Sequence, residues 1–237
     1  TLSERGNLAT MLIDSGKPEQ ALPVALSVVE ATTRVLGADA PRTLRAKLNL
    51  SSLYARLGRF DETLAMQLEV IEARTRLLGP RHPDTIYILV NRIATLSQAD
   101  RPKEALAMLE TVLPMAREVL GDRHPQTQAA MQFLAEDSDA VGDTSQAIAA
   151  YRELLPAREA SLGADDERTV DTAWQLEGLL IATGEREEAA SVRARYVTPL
   201  LETPDAQLDE GQRKFVANVR ETEAAEALQA RQAGSSH

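Results

Sequence analysis

The fold is decided by a nine-residue stretch, residues 77–85, which reads LLGPRHPDT. Related stretches recur at steps of 42 residues: VLGADAPRT at 35–43, VLGDRHPQT at 119–127 and SLGADDERT at 161–169. Each of them has Leu-Gly near its start and Thr at its end. Glycine adopts the positive φ that commonly ends a helix, so each stretch predicts the end of one helix and the start of the next. The chain therefore consists of internal repeats with a fixed period of 42 residues.

A second series of helix-ending residues keeps the same 42-residue step: Gly16, Gly58, Asp100, Gly142 and Gly184. Aspartate also tolerates the left-handed backbone, so Asp100 can stand in for glycine. Two helix ends in each period predict a helix-turn-helix unit. We expect the first helices at about residues 2–15, 43–57, 85–99, 127–141 and 169–183, each followed by a second helix.

Composition supports packed helices and narrows the functional classes. Apolar residues make up 43% of the chain but aromatic residues only 3%, which is typical of helical cores and not of sheets. The net charge of -10 opposes binding to DNA, RNA or acidic membrane surfaces. The absence of cysteine excludes disulfides and cysteine zinc sites. The longest apolar stretch, residues 21–29, is too short to span a bilayer.

A family resemblance rests on one repeat in particular. Asn49-Leu50, Tyr54, the stretch GRFDE at 58–62, Arg74 and residues 77–85 together resemble the 42-residue tetratricopeptide repeat of the kinesin light chain type. The resemblance extends from Thr1 to about Thr203. The predicted fold is all-α, a right-handed α-solenoid of about five helix-turn-helix repeats with a C-terminal capping helix. The repeats are predicted at 1–42, 43–84, 85–126, 127–168 and 169–203.

The period ends after Thr203. Leu208, Phe215 and Val219 form a narrow apolar stripe, which predicts a helix within 204–232. The last repeat of a solenoid exposes an apolar face, so we expect this helix to cap it. The alternative is a helix offered to another chain. Residues 233–237 are interpreted as a tail that resembles the start of an appended tag. A chain that begins at Thr1 without Met predicts a piece of a longer protein.

No catalytic, cofactor-binding or metal-binding set is predicted. His82 and His124 occupy one slot of the repeat, directly before a proline that suits the first turn of a helix. Equivalent slots of neighbouring repeats lie about 10 Å apart, whereas metal bonds are about 2 Å long. The glycines are accounted for by helix ends, and no lysine follows them in the pattern of a phosphate-binding loop. The sequence therefore predicts a protein that is not an enzyme.

The resemblance implies that first helices line a concave groove and that the residue nine before the mid-repeat turn points into it. These residues are Asn7, Asn49, Asn91, Phe133 and Gln175. A carboxamide donates and accepts hydrogen bonds, so a ladder of them suits an extended peptide backbone. The alternative is that the amides bond to one another between neighbouring repeats. Phe133 interrupts the ladder.

Further groove residues follow from the register. Arg45 and Arg56 flank Asn49 on one helical face and suit a peptide with acidic residues or a terminal carboxylate. Tyr87 and Gln98 stand in the corresponding slots around Asn91. Trp174 precedes Gln175, and it either flanks the groove or packs against the capping helix.

The leading functional hypothesis is a non-catalytic peptide-binding or protein-binding scaffold, part of a larger signalling or regulatory protein. The excess of 22 Arg over 4 Lys hints at a GC-rich, bacterial genome, and the absence of cysteine is compatible with a cytoplasmic protein. Two alternatives remain open at this point. One is a sensory or autoinhibitory arm of an upstream enzyme such as a protein kinase or ATPase, and the other is a self-associating structural solenoid of undetermined oligomeric state.

Overall fold

The computed structural model describes residues 8, 11, 12 and 15–234, with side-chain environments up to residue 225. Every regular element in this part of the chain is helical. The helices are α1 (Pro18–Leu36), α2 (Pro41–Arg56), α3 (Phe60–Leu78), α4 (Pro83–Gln98), α5 (Pro102–Leu120), α6 (Pro125–Ala140), α7 (Thr144–Leu162), α8 (Glu167–Thr183), α9 (Arg186–Val192), α10 (Thr198–Glu202) and α11 (Glu210–Gly234). A π-helical segment, Arg193–Val197, joins α9 to α10, and a 3-10 turn, Asp205–Gln207, precedes α11. The first predicted helix is described only at residues 8, 11 and 12, and the predicted tail only up to residue 234.

The chain forms two compact units, residues 1–141 and 142–237. In the first unit, each of the helices α1 to α6 packs against the next one, and α4 also packs against α6. Its core includes Leu50 and Leu53 of α2 beside Ala21 of α1, and Val70 of α3 beside Ile88 of α4. The predicted all-α architecture of successive helix pairs is confirmed.

In the second unit, α8 is the central helix. It packs against α7, α9, the π-helical segment and α11, and α11 also contacts α10. The three residues of the predicted apolar stripe are buried, with Leu208 at 4%, Phe215 at 7% and Val219 fully enclosed. Leu208, which was expected on the same helix, has an extended backbone and precedes α11. Helix α11 therefore covers an apolar face of the last helix pair.

Helices α2, α4 and α6 begin two residues before the expected positions, because their prolines belong to the helices. Pro41, Pro83 and Pro125 each occupy the first helical turn, where a missing N–H costs nothing and the fixed φ favours the helix. His82 Nδ1 accepts a hydrogen bond from the N–H of Asp84 at 3.1 Å, and His124 Nδ1 accepts one from Gln126 at 3.2 Å. The repeated histidine is therefore a helix N-cap.

The repeated threonine closes the loop between successive helices. Thr43 Oγ1 donates to the carbonyl of Gly37 at 2.8 Å, and Thr85 Oγ1 donates to that of Gly79 at 2.9 Å. Both threonines are completely buried. Each hydroxyl thus adds a short hydrogen bond to a carbonyl at the end of the preceding helix, which otherwise accepts only a longer one of 3.4 Å from the N–H of Ala40 or His82. The later repeats differ, because Thr127 Oγ1 donates to the carbonyl of Ala116 at 3.3 Å and Thr169 Oγ1 has no hydrogen-bond partner in the described part of the chain.

Candidate functional site

A cavity of about 410 Å³ lies in the first unit, between the first helices of the second and third repeats. Helices α2 and α4 form its walls, and the buried residues Thr63 and Gln67 of α3 form its floor. Its lining comprises Arg45, Leu48, Asn49, Ser51, Ser52, Ala55, Thr63, Gln67, Tyr87, Asn91, Ala94, Thr95 and Gln98. We call it the α2–α4 groove.

Five of the residues singled out from the sequence line this groove: Arg45, Asn49, Tyr87, Asn91 and Gln98. They meet because Asn49 and Asn91 occupy equivalent slots on helices that are both packed against α3. Residues four before and seven after each of these slots share its helical face, since both separations are close to whole turns. The 42-residue register therefore brings side chains from two repeats to one surface.

The carboxamides of the walls are available to a ligand. Within the described part of the chain, the side chains of Asn49, Asn91 and Gln98 have no hydrogen-bond partner in the protein, although the carbonyl of Asn91 accepts from Thr95 Oγ1 at 2.9 Å. The alternative of amides bonded between neighbouring repeats does not describe Asn49 and Asn91. Each free carboxamide offers one acceptor and two donors.

The floor carries an internal polar pair. Gln67 Nε2 donates to Thr95 Oγ1 at 2.9 Å and approaches the carbonyl of Asn91 at 3.4 Å. Gln67 is only 5% exposed, and its Oε1 has no hydrogen-bond partner in the protein. This acceptor is enclosed beneath the groove, with almost no accessible surface of its own.

The charge of the groove is positive. Arg45 is the one charged side chain among the lining residues, and it is exposed. No ion-pair partner of Arg45 is found among residues 15–225. Among the described residues, no acidic one lines the groove. A guanidinium on a wall without a neighbouring carboxylate favours an anionic group in the ligand.

The other predicted site residues lie elsewhere. Arg56 is exposed at the end of α2 and Phe133 is half-buried on α6, and neither lines the α2–α4 groove. Gln175 and Trp174 belong to α8 in the second unit, where Gln175 is exposed. Asn7 lies outside the described residues.

Trp174 packs against α11. Its ring meets that of Phe215 edge-on, with centroids 6.4 Å apart and an interplanar angle of 89°. The guanidinium of Arg193 lies 5.7 Å from the centre of the Trp174 ring. Arg193 also pairs with the buried Glu177 at 2.9 Å and with Glu223 of α11. This cluster ties α11 to α8, so Trp174 does not enter the proposed site.

Neither a metal site nor a membrane-spanning helix is found in the described part of the chain. Among the described residues, no three His, Cys, Asp or Glu side chains converge so that they could hold a metal ion. Over the same part of the chain, no helix has the length and apolarity needed to cross a bilayer.

Sequence reasoning missed Gln67 and Thr95, although a signal was present. The slot of Gln67 holds Ala25 in the first repeat, Leu109 in the third and Tyr151 in the fourth, all of them buried. The fifth repeat holds Arg193 in this slot, so polar residues depart from the apolar pattern in the second and fifth repeats. A search for such departures in the second helices, as well as in the first, would have found Gln67.

The comparison with protein families decides what this architecture is. A family model of the tetratricopeptide repeat matches residues 2–62, 43–118 and 85–160. The chain belongs to the tetratricopeptide repeat family. The matches overlap in steps of about one repeat, as expected for a tetratricopeptide array with this period, and they include the α2–α4 groove. No curated protein matches the chain significantly.

Solved tetratricopeptide structures share the fold. The TPR-like repeats of a kinesin light chain-type protein from Podospora anserina give a TM-score of 0.71 at 20% identity, covering 83% of this chain and 93% of that one. BtubC (BKLC) from P. vanneervenii gives 0.72 at 15% identity, covering 87% and 84%. A Rap protein in complex with Competence and Sporulation Factor gives 0.60 at 12% identity, covering 80% of this chain and 51% of that one. The predicted resemblance to the kinesin light chain type is confirmed at the level of fold.

Proposed function

We propose that this tetratricopeptide repeat chain is a non-catalytic scaffold that binds an extended peptide segment of a partner protein in the α2–α4 groove. Tetratricopeptide repeats are typically protein-interaction scaffolds, and the Rap protein is a solved relative in fold whose structure contains a bound factor. The observation that carries the proposal is the set of unpartnered carboxamides of Asn49, Asn91 and Gln98 around one cavity.

The ligand that fits this groove is a peptide with an acidic side chain or a C-terminal carboxylate. A peptide backbone offers N–H and carbonyl groups in alternation, and free carboxamides can bond to both kinds. Arg45 supplies the charge that would pair with a carboxylate. Arg56 lies eleven positions further along α2, about 16 Å at the rise of an α-helix, so it would contact a different part of a long peptide.

Charge reversal tests the proposal. Peptides are first selected from a random displayed library on the full chain, and their affinities are then measured by titration at low and high salt. Arg45→Glu should weaken binding at least tenfold, because it replaces attraction by repulsion at a partly desolvated contact. Wild-type affinity should fall as salt rises. Arg45→Glu combined with Arg56→Glu should abolish binding of long acidic peptides while helicity by circular dichroism is unchanged.

The matched control is Arg34→Glu. Arg34 is exposed on α1, a second helix, and has no ion-pair partner among the described residues, so the variant carries the same change of charge outside the groove. Arg193 is unsuitable as a control because it holds Glu177 and Glu223. Equal losses in the Arg45 and Arg34 variants would show that only net charge matters and would remove the groove from the proposal.

We further propose a cytoplasmic setting within a larger signalling or regulatory protein. The support is the net charge of -10, the absence of cysteine and the scaffold character of the fold. The size of the native polypeptide in the source cells, measured by immunoblot, and its recovery with the cytoplasmic fraction test this part directly.

A further inference from the structure

Helix α6 continues the row of first helices beyond the α2–α4 groove. It packs directly against α4, where Ser97 Oγ donates to Asp137 Oδ2 at 2.7 Å. The three first helices turn the same face to the core, since equivalent slots are buried in each of them: Leu44, Ile86 and Gln128, then Leu53, Thr95 and Asp137, then Tyr54, Leu96 and Ser138. The remaining slots of α6 therefore face the same way as their equivalents on α2 and α4.

Two slots that line the α2–α4 groove hold different chemistry on α6. Phe133 occupies the slot of Asn49 and Asn91, and Glu136 occupies that of Ser52 and Ala94. Phe133 is half-buried and Glu136 is exposed, so a ligand can reach both. Where α2 and α4 present carboxamides and small residues, α6 presents an aromatic ring and a carboxylate three positions apart on one helical face.

A second carboxylate lies close to the first along α6. Asp139 follows three positions after Glu136, in the slot of Ala55, which also lines the groove. Asp139 is exposed and has no ion-pair partner among the described residues. Glu136 accepts a hydrogen bond from Gln132 Nε2 at 2.6 Å, which orients its carboxylate. The α6 end of the row is therefore acidic, whereas the α2 end carries Arg45.

We infer that Phe133, Glu136 and Asp139 bind a lysine or arginine side chain of the same peptide whose acidic group pairs with Arg45. This inference rests on the proposed function. A long cationic side chain fits the combination, because its methylene stem packs on an apolar ring while its charged head reaches a carboxylate or lies over the ring. Phe133 interrupts the carboxamide ladder because recognition of the peptide backbone gives way there to recognition of a side chain.

The distance between the two charged ends predicts a spacing in the peptide. Arg45 lies on α2 and Glu136 on α6, two steps apart in the row of first helices, at about 10 Å for each step. An extended chain advances about 3.3 Å per residue, so about 20 Å corresponds to about six residues. The peptide therefore carries opposite charges about six positions apart, and an acidic group at the α6 end would be repelled.

The first test is a displayed library in which each peptide carries one Asp and one Lys, separated by about one to ten positions, with uncharged residues elsewhere. After selection on the full chain, separations of about five to seven positions should be enriched, because only these let both charges reach their partners in an extended peptide. Sequencing of the selected pool measures the enrichment. Selection with no preference for the separation would overturn the inference.

Charge reversal on both sides identifies the contact. Glu136→Lys combined with Asp139→Lys should weaken binding of a selected peptide about tenfold or more, because attraction becomes repulsion. Replacing the Lys of the peptide by Glu should restore most of the affinity, which also shows that the variant is folded. Phe133→Leu keeps an apolar side chain but removes the ring face, so it should weaken binding about threefold. Titrations at constant salt measure all of these affinities.

A second pair of charge reversals, Glu72→Lys with Glu110→Lys, changes the net charge equally but on second helices. Both residues are exposed, on α3 and α5, and have no ion-pair partner in the described part of the chain. This variant should lose less than about twofold in affinity, since its changes lie outside the row of first helices. A loss equal to that of the α6 variant would show that only net charge matters and would overturn the inference.

The outcomes separate this inference from the proposed function. If selected peptides respond to Arg45→Glu but not to the α6 variants or to loss of their Lys, the inference is wrong while the proposed function stands. Unchanged affinity in Phe133→Leu would overturn the assignment of the ring. If no library peptide binds the groove, both the inference and the proposed function are wrong.

Discussion

Two kinds of positive φ occur in the repeat, and they differ in which residues they accept. Asp100 has φ 57°, which lies in the left-handed region that aspartate tolerates. Gly79 has φ 90° with ψ 160°, and Gly37, Gly121 and Gly163 have nearly the same values. That second combination is essentially restricted to glycine. The mid-repeat turn therefore admits substitution, whereas the Leu-Gly turn does not.

A pair of Gly→Ala substitutions tests this distinction. Gly79→Ala should lower the free energy of unfolding by about 1–3 kcal/mol, because its backbone conformation strains any residue with a Cβ. Gly178→Ala, in the interior of α8 with open space around the added methyl, should raise it by about 0.5–1 kcal/mol. Urea denaturation curves measure both changes. If the free energy of unfolding changed in the same direction in both variants, the conformational explanation would be contradicted.

Asp137 is a buried carboxyl group with a single neutral partner. It is 4% exposed on α6, and Ser97 Oγ of α4 donates to its Oδ2 at 2.7 Å. Burial raises the pKa of Asp137, the hydrogen bond from Ser97 opposes this, and the nearby Glu136 adds to the increase. The folded state therefore holds the proton of Asp137 more tightly than the unfolded state does.

The sign of the pH dependence follows from this raised pKa. Below the ordinary pKa of aspartate both states are protonated at this group, and as the pH rises to above the folded pKa the folded state loses stability. Asp137→Asn should remove this loss, so the variant should be more stable than the wild type at pH 7 and no more stable at low pH. Unfolding free energies across this pH range measure the difference. If the wild type were more stable than Asp137→Asn at pH 7, the prediction would be contradicted.

At the scale of the elements, one slot before each first helix determines how that helix starts. The slot holds Ala40, His82, His124 and Asp166, of which the last three accept a hydrogen bond from the N–H two residues later. Ala40 has the same extended backbone but no side-chain acceptor. The imidazole of histidine and the carboxylate of aspartate thus both cap the N-terminus of the first helix, each in its own repeat.

Exchanges within this slot test the capping role. His82→Ala should cost about 0.5–2 kcal/mol of unfolding free energy, because it leaves the N–H of Asp84 without a side-chain acceptor. His82→Asp should retain most of the stability, since Asp166 caps α8 with the same geometry at 3.0 Å. Ala40→Asp should stabilise α2 by a similar amount. Thermal melting of the three variants provides the measurement, and no gain in Ala40→Asp would argue against a common capping slot.

At the scale of the whole molecule, the second unit depends on its last helix. Phe215, Val216 and Val219 of α11 are buried, and so are Leu200 and Tyr196 of the preceding helical segment. Burial of an apolar interface stabilises by about 25 cal/mol for each Å² removed from water. A repeat array that exposes such a face is prone to associate.

Removal of residues 204–237 tests this dependence. We expect a melting temperature lower than that of the full chain and aggregation visible by light scattering, because Trp174 and its neighbours lose their cover. Phe215→Ala alone should cost about 3–5 kcal/mol, as for other buried aromatic residues. Lys214→Ala, exposed on the same helix, should change the stability by no more than about 0.5 kcal/mol. A monomeric, equally stable truncated chain would show that α11 is not a cap.

The sequence by itself determined the period, the all-α class, the turns and the stripe of α11. These properties depend on residues close together in the chain, such as a glycine at a helix end or a proline in a first turn, and the 42-residue register repeats them. The same register also predicted that Arg45, Asn49 and Asn91 share a surface, because equivalent slots of neighbouring repeats face the same way.

Only the tertiary structure decided how the groove is completed. Gln67 and Thr95 are 28 residues apart, and whether their side chains meet depends on the packing of α3 against α4, which no local pattern specifies. The same holds for Trp174, whose neighbours Phe215 and Arg193 come from two other helical segments of the second unit. Local backbone preferences fix the elements, whereas the free carboxamides and the unsatisfied acceptor exist only where particular side chains from separate helices come together.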